Sequence, residues 1–201
     1  HLFRSSYYDY KLDLEVIEVN AEEPEVIYQN EDFELVAANM SHRVPCIAYS
    51  FNEKDKTRID MKKAKTYGLE QGPKVGALLR NGKVKIKGKE VLLDEVSYTD
   101  HGRKVTLVLD TELNPNAISL AEDSDVLIAE SVHTEDMQEK AEEQKHMTAR
   151  DAALLASRSN SKKLYLTHFS QRYGNVQVHQ EDATKYFDNS ICAEDFMSIK
   201  L

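Results

Sequence analysis

The sequence predicts an α/β fold, and three observations carry that prediction. Val105-Thr-Leu-Val-Leu109, Val126-Leu-Ile-Ala129 and Leu164-Tyr-Leu166 are short apolar runs. They stop at ionisable residues: Asp110, Glu130 and, one residue past Thr167, His168. Continuous apolar runs are how buried strands read. From residue 103 onward, strand-like and helix-like segments alternate, as in helices layered on a sheet. Chemistry in open α/β sheets gathers outside the carboxyl ends of the strands. Asp110, Glu130 and His168 are therefore expected along one edge. A carboxylate and an imidazole converging there point to metal-assisted hydrolysis more than to a packed scaffold.

Taken in order, residues 11 to 51 read as strands. Residues 12 to 19 nearly alternate, Pro24 breaks the pattern, residues 33 to 38 resume it, and residues 45 to 51 give another extended run. Residues 59 to 67 read as a short helix closed by Gly68. Gly72-Pro73 is a turn or helix start, with one more helical turn over 75 to 79. Asn81-Gly82 and Gly88 punctuate two short basic strands. Asp100-His101-Gly102 returns the chain to the main sheet at Arg103. Residues 115 to 122 and 135 to 144 are predicted helical. The clearest helix spans 148 to 157: Thr148 and Asp151 make a capping-box-like start, and Ala149, Ala152, Ala153 and Ala156 keep helical spacing. A late helix over 181 to 187 and an extended segment over 191 to 201 close the chain. No internal repeat or low-complexity tract stands out.

With 201 residues, 41% hydrophobic and 30% charged, the chain can bury one good core and is not a disordered polyelectrolyte. It could also be one domain carrying an insertion. No apolar run nears the roughly 18 residues of a membrane span, so no membrane partner is expected. The start, His1-Leu-Phe-Arg-Ser-Ser, has neither Met nor a signal-peptide core, so a cleaved, trimmed or excised chain is expected. Cys46 and Cys192 stand far apart without CxxC spacing, which suits buried, reduced thiols in the cytoplasm. The net charge is −9, yet residues 54 to 89 hold twelve Lys and Arg against Asp55, Asp60 and Glu70, a local +9 that leaves −18 elsewhere. Such asymmetry can mark a nucleic-acid contact. From charge alone, a solvated lysine-rich hairpin is the simpler reading.

Of seven histidines, His1 is terminal, and His101, His133 and His179 sit in polar contexts that predict surface positions. His42, His146 and His168 each lie where an apolar segment meets a loop. Singly, each reads as a hydrogen-bonded structural histidine. With Asp110 they suggest a zinc site, because zinc accepts imidazole and carboxylate, and a carboxylate has two oxygens with which to bridge two metals. HExxH, Walker A, GxGxxG and GxSxG are all absent from the sequence. Spacing alone does not give the reaction.

Several ordered motifs resemble those of ribonuclease Z, a family of the metallo-β-lactamase superfamily that cuts the 3′ trailer from precursor tRNA. Asn39-Met-Ser-His42-Arg-Val-Pro-Cys-Ile-Ala-Tyr49 resembles its third metal motif, and Leu109-Asp110-Thr111 its Gly-Asp-Thr. Asp125-Val-Leu-Ile-Ala129-Glu130-Ser131 resembles its His-Glu-Ala-Thr loop, and His146-Met-Thr148 its His-Ser-Thr loop. Leu166-Thr-His168-Phe-Ser-Gln-Arg-Tyr173 resembles its last metal motif. Gly72-Pro73 resembles the Gly-Pro feature of its tRNA-binding arm.

The resemblance implies a partial αββα sandwich with a small basic insertion. It divides the chain into a β-rich part (1–51), an exosite-like arm (52–101) and a C-terminal α/β half (102–201). His42 would ligate one zinc, His168 the other, and Asp110 would bridge them. His146 would be the general acid at the leaving oxygen, supported by Glu130. Thr148 and its helix start would face a phosphate. The arm, with Gly72, Pro73, Lys83, Lys85 and Lys87, would grip precursor tRNA, and the intact enzyme would be a homodimer.

Two departures matter. Ala129 stands where many members have His, and His-x-His-x-Asp-His is absent from the 201 residues. The chain is thus expected to be a C-terminal part whose N-terminal segment is missing, holding zinc weakly or not at all and inactive alone. An exposed sheet edge, an apolar face and either dimerisation or disorder near residues 1 to 30 are expected. Another metallo-β-lactamase-like phosphodiesterase or hydrolase, or a non-catalytic RNA-binding module, is the alternative.

Overall fold

In the computed structural model, which describes residues 15–201, the chain enters its main sheet through an antiparallel meander. This comprises β1 (Glu25–Gln29), β2 (Phe33–Met40) and β3 (Cys46–Glu53). An excursion follows: β4 (Lys56–Ile59), α1 (Met61–Thr66), α2 (Pro73–Asn81), β5 (Lys83–Ile86), β6 (Lys89–Leu92), α3 (Leu93–Val96) and β7 (Ser97–Asp100). The chain then returns as β8 (Lys104–Val108), α4 (Pro115–Ala121), β9 (Val126–Glu130), α5 (Gln138–Gln144), α6 (Ala149–Arg158), β10 (Leu164–Thr167), α7 (Gln177–Thr184) and β11 (Ser190–Cys192). The seven strands of the main sheet run in the order β1-β2-β3-β8-β9-β10-β11, antiparallel up to β8 and parallel from β8 onward. The three apolar runs are thus adjacent parallel strands.

Register explains the core. Ala38, Ala48, Val108, Ala129, Leu166 and Cys192 form one row across the sheet. All six are buried against α4, α6 and α7. Four alanines on the buried side of α6, and Ala117 and Ala121 on α4, let these helices approach the sheet closely. Ala129 faces this core with no exposed surface. The neighbouring row alternates to the other face. There Tyr49 and Leu107 pair in register and stay more than a third exposed, as does Phe51.

The excursion has its own small core of Ala64, Leu69, Leu78, Ile86, Val91 and Val96. Asp60 caps α1 by accepting from the Lys62 and Lys63 amides, and Gly72-Pro73 opens α2. The root of the arm is tight. The Gly102 amide donates to the Asp55 carboxylate at 2.8 Å, and a Cβ on Gly102 would lie 1.9 Å from the Glu53 carbonyl oxygen. Only glycine fits that approach.

Several expected boundaries differ. Residues 12 to 14 of the first predicted strand lie outside the described residues, and residues 15 to 20 form no strand. Ile59 belongs to β4 rather than to the helix, and α2 extends the single predicted turn to nine residues. The late helix begins at Gln177, because His179 and Ala183, one turn apart, bury its inner face. Of the closing segment expected over 191 to 201 only Ile191 and Cys192 pair, as the end of β11 against β10. Among the described residues no helix is long and apolar enough to cross a membrane.

Candidate metal centre

β8, β9 and β10 end at one edge, and the chain turns sharply there. Asp110 (φ 50°) and His168 (φ 57°) both take left-handed backbone conformations. Asp and His visit that region more readily than most residues. His168 Nδ1 then lies 3.6 Å from Asp110 Oδ1 and 3.2 Å from Glu130 Oε2.

Glu130, the last residue of β9, is fully buried. Its Oε1 accepts from the Thr111 amide at 2.6 Å and from the Met147 amide at 3.4 Å. Its Oε2 is 2.8 Å from His146 Nδ1 as well as 3.2 Å from His168 Nδ1. A buried carboxylate needs such partners to offset lost hydration. The arrangement orients both imidazoles by their Nδ1 atoms, the way a carboxylate orients metal-binding histidines.

His146 sits in a short, pinned loop. Lys145 before it is left-handed (φ 58°) and ends α5. Lys145 Nζ also bridges Glu112 and Ser41, each at 3.3 Å. His42 Nδ1–H donates to the Lys145 carbonyl at 3.0 Å, and its ring lies 4.9 Å from that of His146. His42 therefore borders the cluster. The ligand atoms that lie within 4.8 Å of one another belong to Asp110, Glu130, His146 and His168. This donor set, imidazole with carboxylate, fits zinc or a similar divalent ion. Cys46 is only half-buried; its thiol donates to the Leu109 carbonyl, and burial together with the Asp110 charge pushes its pKa up.

Thr148 turns inward. Its hydroxyl accepts from the Asp151 amide at 3.2 Å and its own amide donates to Asp151 Oδ2, so the capping box closes on itself. Its visible work is to fix the loop carrying His146. Gly72, Pro73, Lys83, Lys85 and Lys87 lie on the arm, apart from the cluster. Lys83, Lys85 and Lys87 are all exposed, and Lys83 pairs with Glu90 at 3.2 Å.

The surface expected for His133 and His179 is overturned: both are buried, at 2% and 0% exposure. His179 packs against Phe169 and Tyr173, which follow His168, and reaches Ser131, which follows Glu130. His101 stays exposed and pairs with Asp55. The partners missed from sequence are Lys145, Ser131 and His179. Only the His179–Ala183 spacing on α7 signals an inward face.

No protein-family model matches the chain. Among solved structures, human tRNase Z, short form, aligns over 89% of the chain and 47% of its own, at 23% identity and a TM-score of 0.53. The metallo-β-lactamase fold protein YhfI from Bacillus subtilis aligns over 91% of the chain and 54% of its own, at 16% identity and 0.57. The chain accordingly has the metallo-β-lactamase fold.

Sequence likeness narrows the class. Ribonuclease Z of Protochlamydia amoebophila is 34% identical over 166 residues, 83% of this chain. Ribonuclease Z of Chlamydia abortus is 32% identical over 189 residues, and ribonuclease BN of Proteus mirabilis 33% over 206. The chain is a relative of the ribonucleases Z, and it spans 54%, 61% and 65% of the length of these three proteins.

Burial pushes the His179 pKa from 6.5 down to about 4. As pH falls, the unfolded chain takes up this proton first. Stability is therefore complete above pH 6.5 and is lost on the way down to about pH 4. The loss attributable to this one group is about 3 kcal/mol. Urea midpoints measured between pH 7 and pH 4.5 are expected to fall less steeply for His179→Phe than for the native chain. Identical slopes would show that the imidazole does not titrate this way.

Proposed function

We propose that the chain contributes one side of the active site of a zinc-dependent endoribonuclease that removes the 3′ trailer from precursor tRNA. The observation that carries the proposal is the convergence of Asp110, Glu130, His146 and His168 within 4.8 Å at the carboxyl ends of adjacent parallel strands. Relatives named ribonuclease Z support the substrate class.

In this reading His42 would hold one zinc and His168 the other, with Asp110 as the carboxylate shared between them. Zinc on such donors acts as a Lewis acid toward phosphoryl oxygens and acidifies water. His146 holds a proton for the leaving oxygen, and Glu130, at 2.8 Å from its Nδ1, keeps the ring in place. Thr148 and the start of α6 keep that histidine close to the phosphate. The arm grips tRNA away from the cleavage point through Gly72-Pro73 and the exposed Lys83, Lys85 and Lys87. The free thiols Cys46 and Cys192 fit a reducing cytoplasm.

Three donors shared between two zincs leave two protein groups for each, fewer than the three or four of a stable zinc site. The 201 residues alone are therefore expected to hold near-zero zinc after loading and desalting, and to leave precursor tRNA intact. Elemental analysis finding one or two firmly held zincs, or zinc-dependent cleavage by the chain alone, overturns this.

RNA binding should survive in the arm. Binding of precursor tRNA is expected to weaken steeply with added salt, and charge reversal of Lys83, Lys85 and Lys87 together to abolish it. An unchanged affinity in that variant removes the arm from recognition.

Exposed Tyr49, Phe51 and Leu107 support a further part of the proposal, association of two copies through the sheet. Sedimentation of the chain is expected to show a dimer whose population grows with concentration; a monomer at high concentration refutes it.

A further inference from the structure

His179 belongs to none of the roles given above, yet it touches both loops that carry the buried carboxylate and the metal-binding imidazole. It lies on α7, is fully buried, and shares a 2.9 Å hydrogen bond between its Nδ1 and Ser131 Oγ. Ser131 directly follows Glu130. The imidazole ring also lies 4.9 Å from Phe169 and 4.6 Å from Tyr173. Phe169 directly follows His168. Its Nε2 has no hydrogen-bond partner among the described residues. The one polar bond it makes is therefore the bond to Ser131.

The two loops are also stitched to each other. The Ser131 amide donates to the Thr167 carbonyl at 2.8 Å, and the Ser170 amide to the Val132 carbonyl at 3.1 Å. Tyr173 shares a 2.8 Å hydrogen bond between its hydroxyl and that of Thr134. α7 adds a second tie through Asp182, which accepts from the Glu135 amide at 2.9 Å. A purely apolar side chain at position 179 could fill the space between the two aromatic rings. It could not hold Ser131, and the buried Ser131 hydroxyl has no other hydrogen bond among the described residues.

We propose that His179 is a positioning residue of the metal centre: it locks the loops after β9 and β10 together and so fixes Glu130 and His168 relative to each other. The proposal rests on the metal-centre reading, and partners that orient ligands in this way typically contribute about 10-fold to 100-fold to metal affinity.

The test compares the native chain with His179→Phe, which keeps the ring packing, and His179→Asn, which keeps a polar atom at the δ position. Ser131→Ala and the double variant with His179→Phe complete the set. Amide hydrogen exchange at Ser131 and Ser170 is read against α6 as an internal reference, and cobalt(II) is titrated by its absorption bands. His179→Phe and Ser131→Ala are each expected to lower protection at these two amides and weaken cobalt binding by about tenfold. The double variant should be no worse than either single one, and His179→Asn should recover most of the loss. Unchanged protection in a folded His179→Phe chain overturns the proposal, as do losses that simply add in the double variant. If His179→Phe does not fold, Ser131→Ala alone decides by the same readout. Loss of protection with no measurable cobalt binding by the native chain would uphold the positioning role and agree with the near-zero zinc expected of the 201 residues alone, whereas cobalt binding by the native chain that none of the variants weakens would overturn the link to the metal centre.

Discussion

Glu130 is the constraint on which the site depends. Its carboxylate has no exposed surface, and its oxygens meet two backbone amides and two imidazoles. A charged group in that position is tolerated only because it is surrounded by donors, and removing one leaves the others facing an uncompensated charge. The donors come from three separate loops, at Thr111, His146-Met147 and His168. Each loop must therefore arrive together with the others. The parallel β8-β9-β10 arrangement makes that possible by ending three strands at one edge.

The turns at that edge explain how short loops suffice. Asp110, Lys145 and His168 each adopt positive φ, so the backbone reverses within two residues of leaving its strand or helix. Around them, Lys145 ties Glu112 and Ser41 to the loop of His146, and His42 reaches the Lys145 carbonyl. The result is a rim in which four chain segments hold one another, with α6 and its closed capping box behind them.

Much of this was legible in the sequence. Buried parallel strands leave unbroken apolar runs, and residues at the ends of such runs share an edge, so Asp110, Glu130 and His168 could be placed together before any coordinates. The capping residues Thr148 and Asp151 marked α6 within a residue of its start. What could not be read depends on packing between distant segments. β1 is almost wholly exposed and carries no hydrophobic pattern strong enough to single it out. His133 and His179 have polar neighbours in sequence, and only the apposition of α7 with the loops after β9 and β10 buries them. The inward turn of Thr148 likewise follows from its own cap and the Gln138 side chain, not from its place in a motif.

The arm carries its own hydrophobic cluster and meets the main sheet at a root where Gly102 passes against Glu53. Substitutions far from a site and sharing no partners with it act additively. Mutations on the outer surface of the arm can therefore accumulate without disturbing the geometry around Glu130. The fold thereby separates two evolutionary variables, so that lineages can diverge in the surface of the arm while the geometry around Glu130 stays under independent selection.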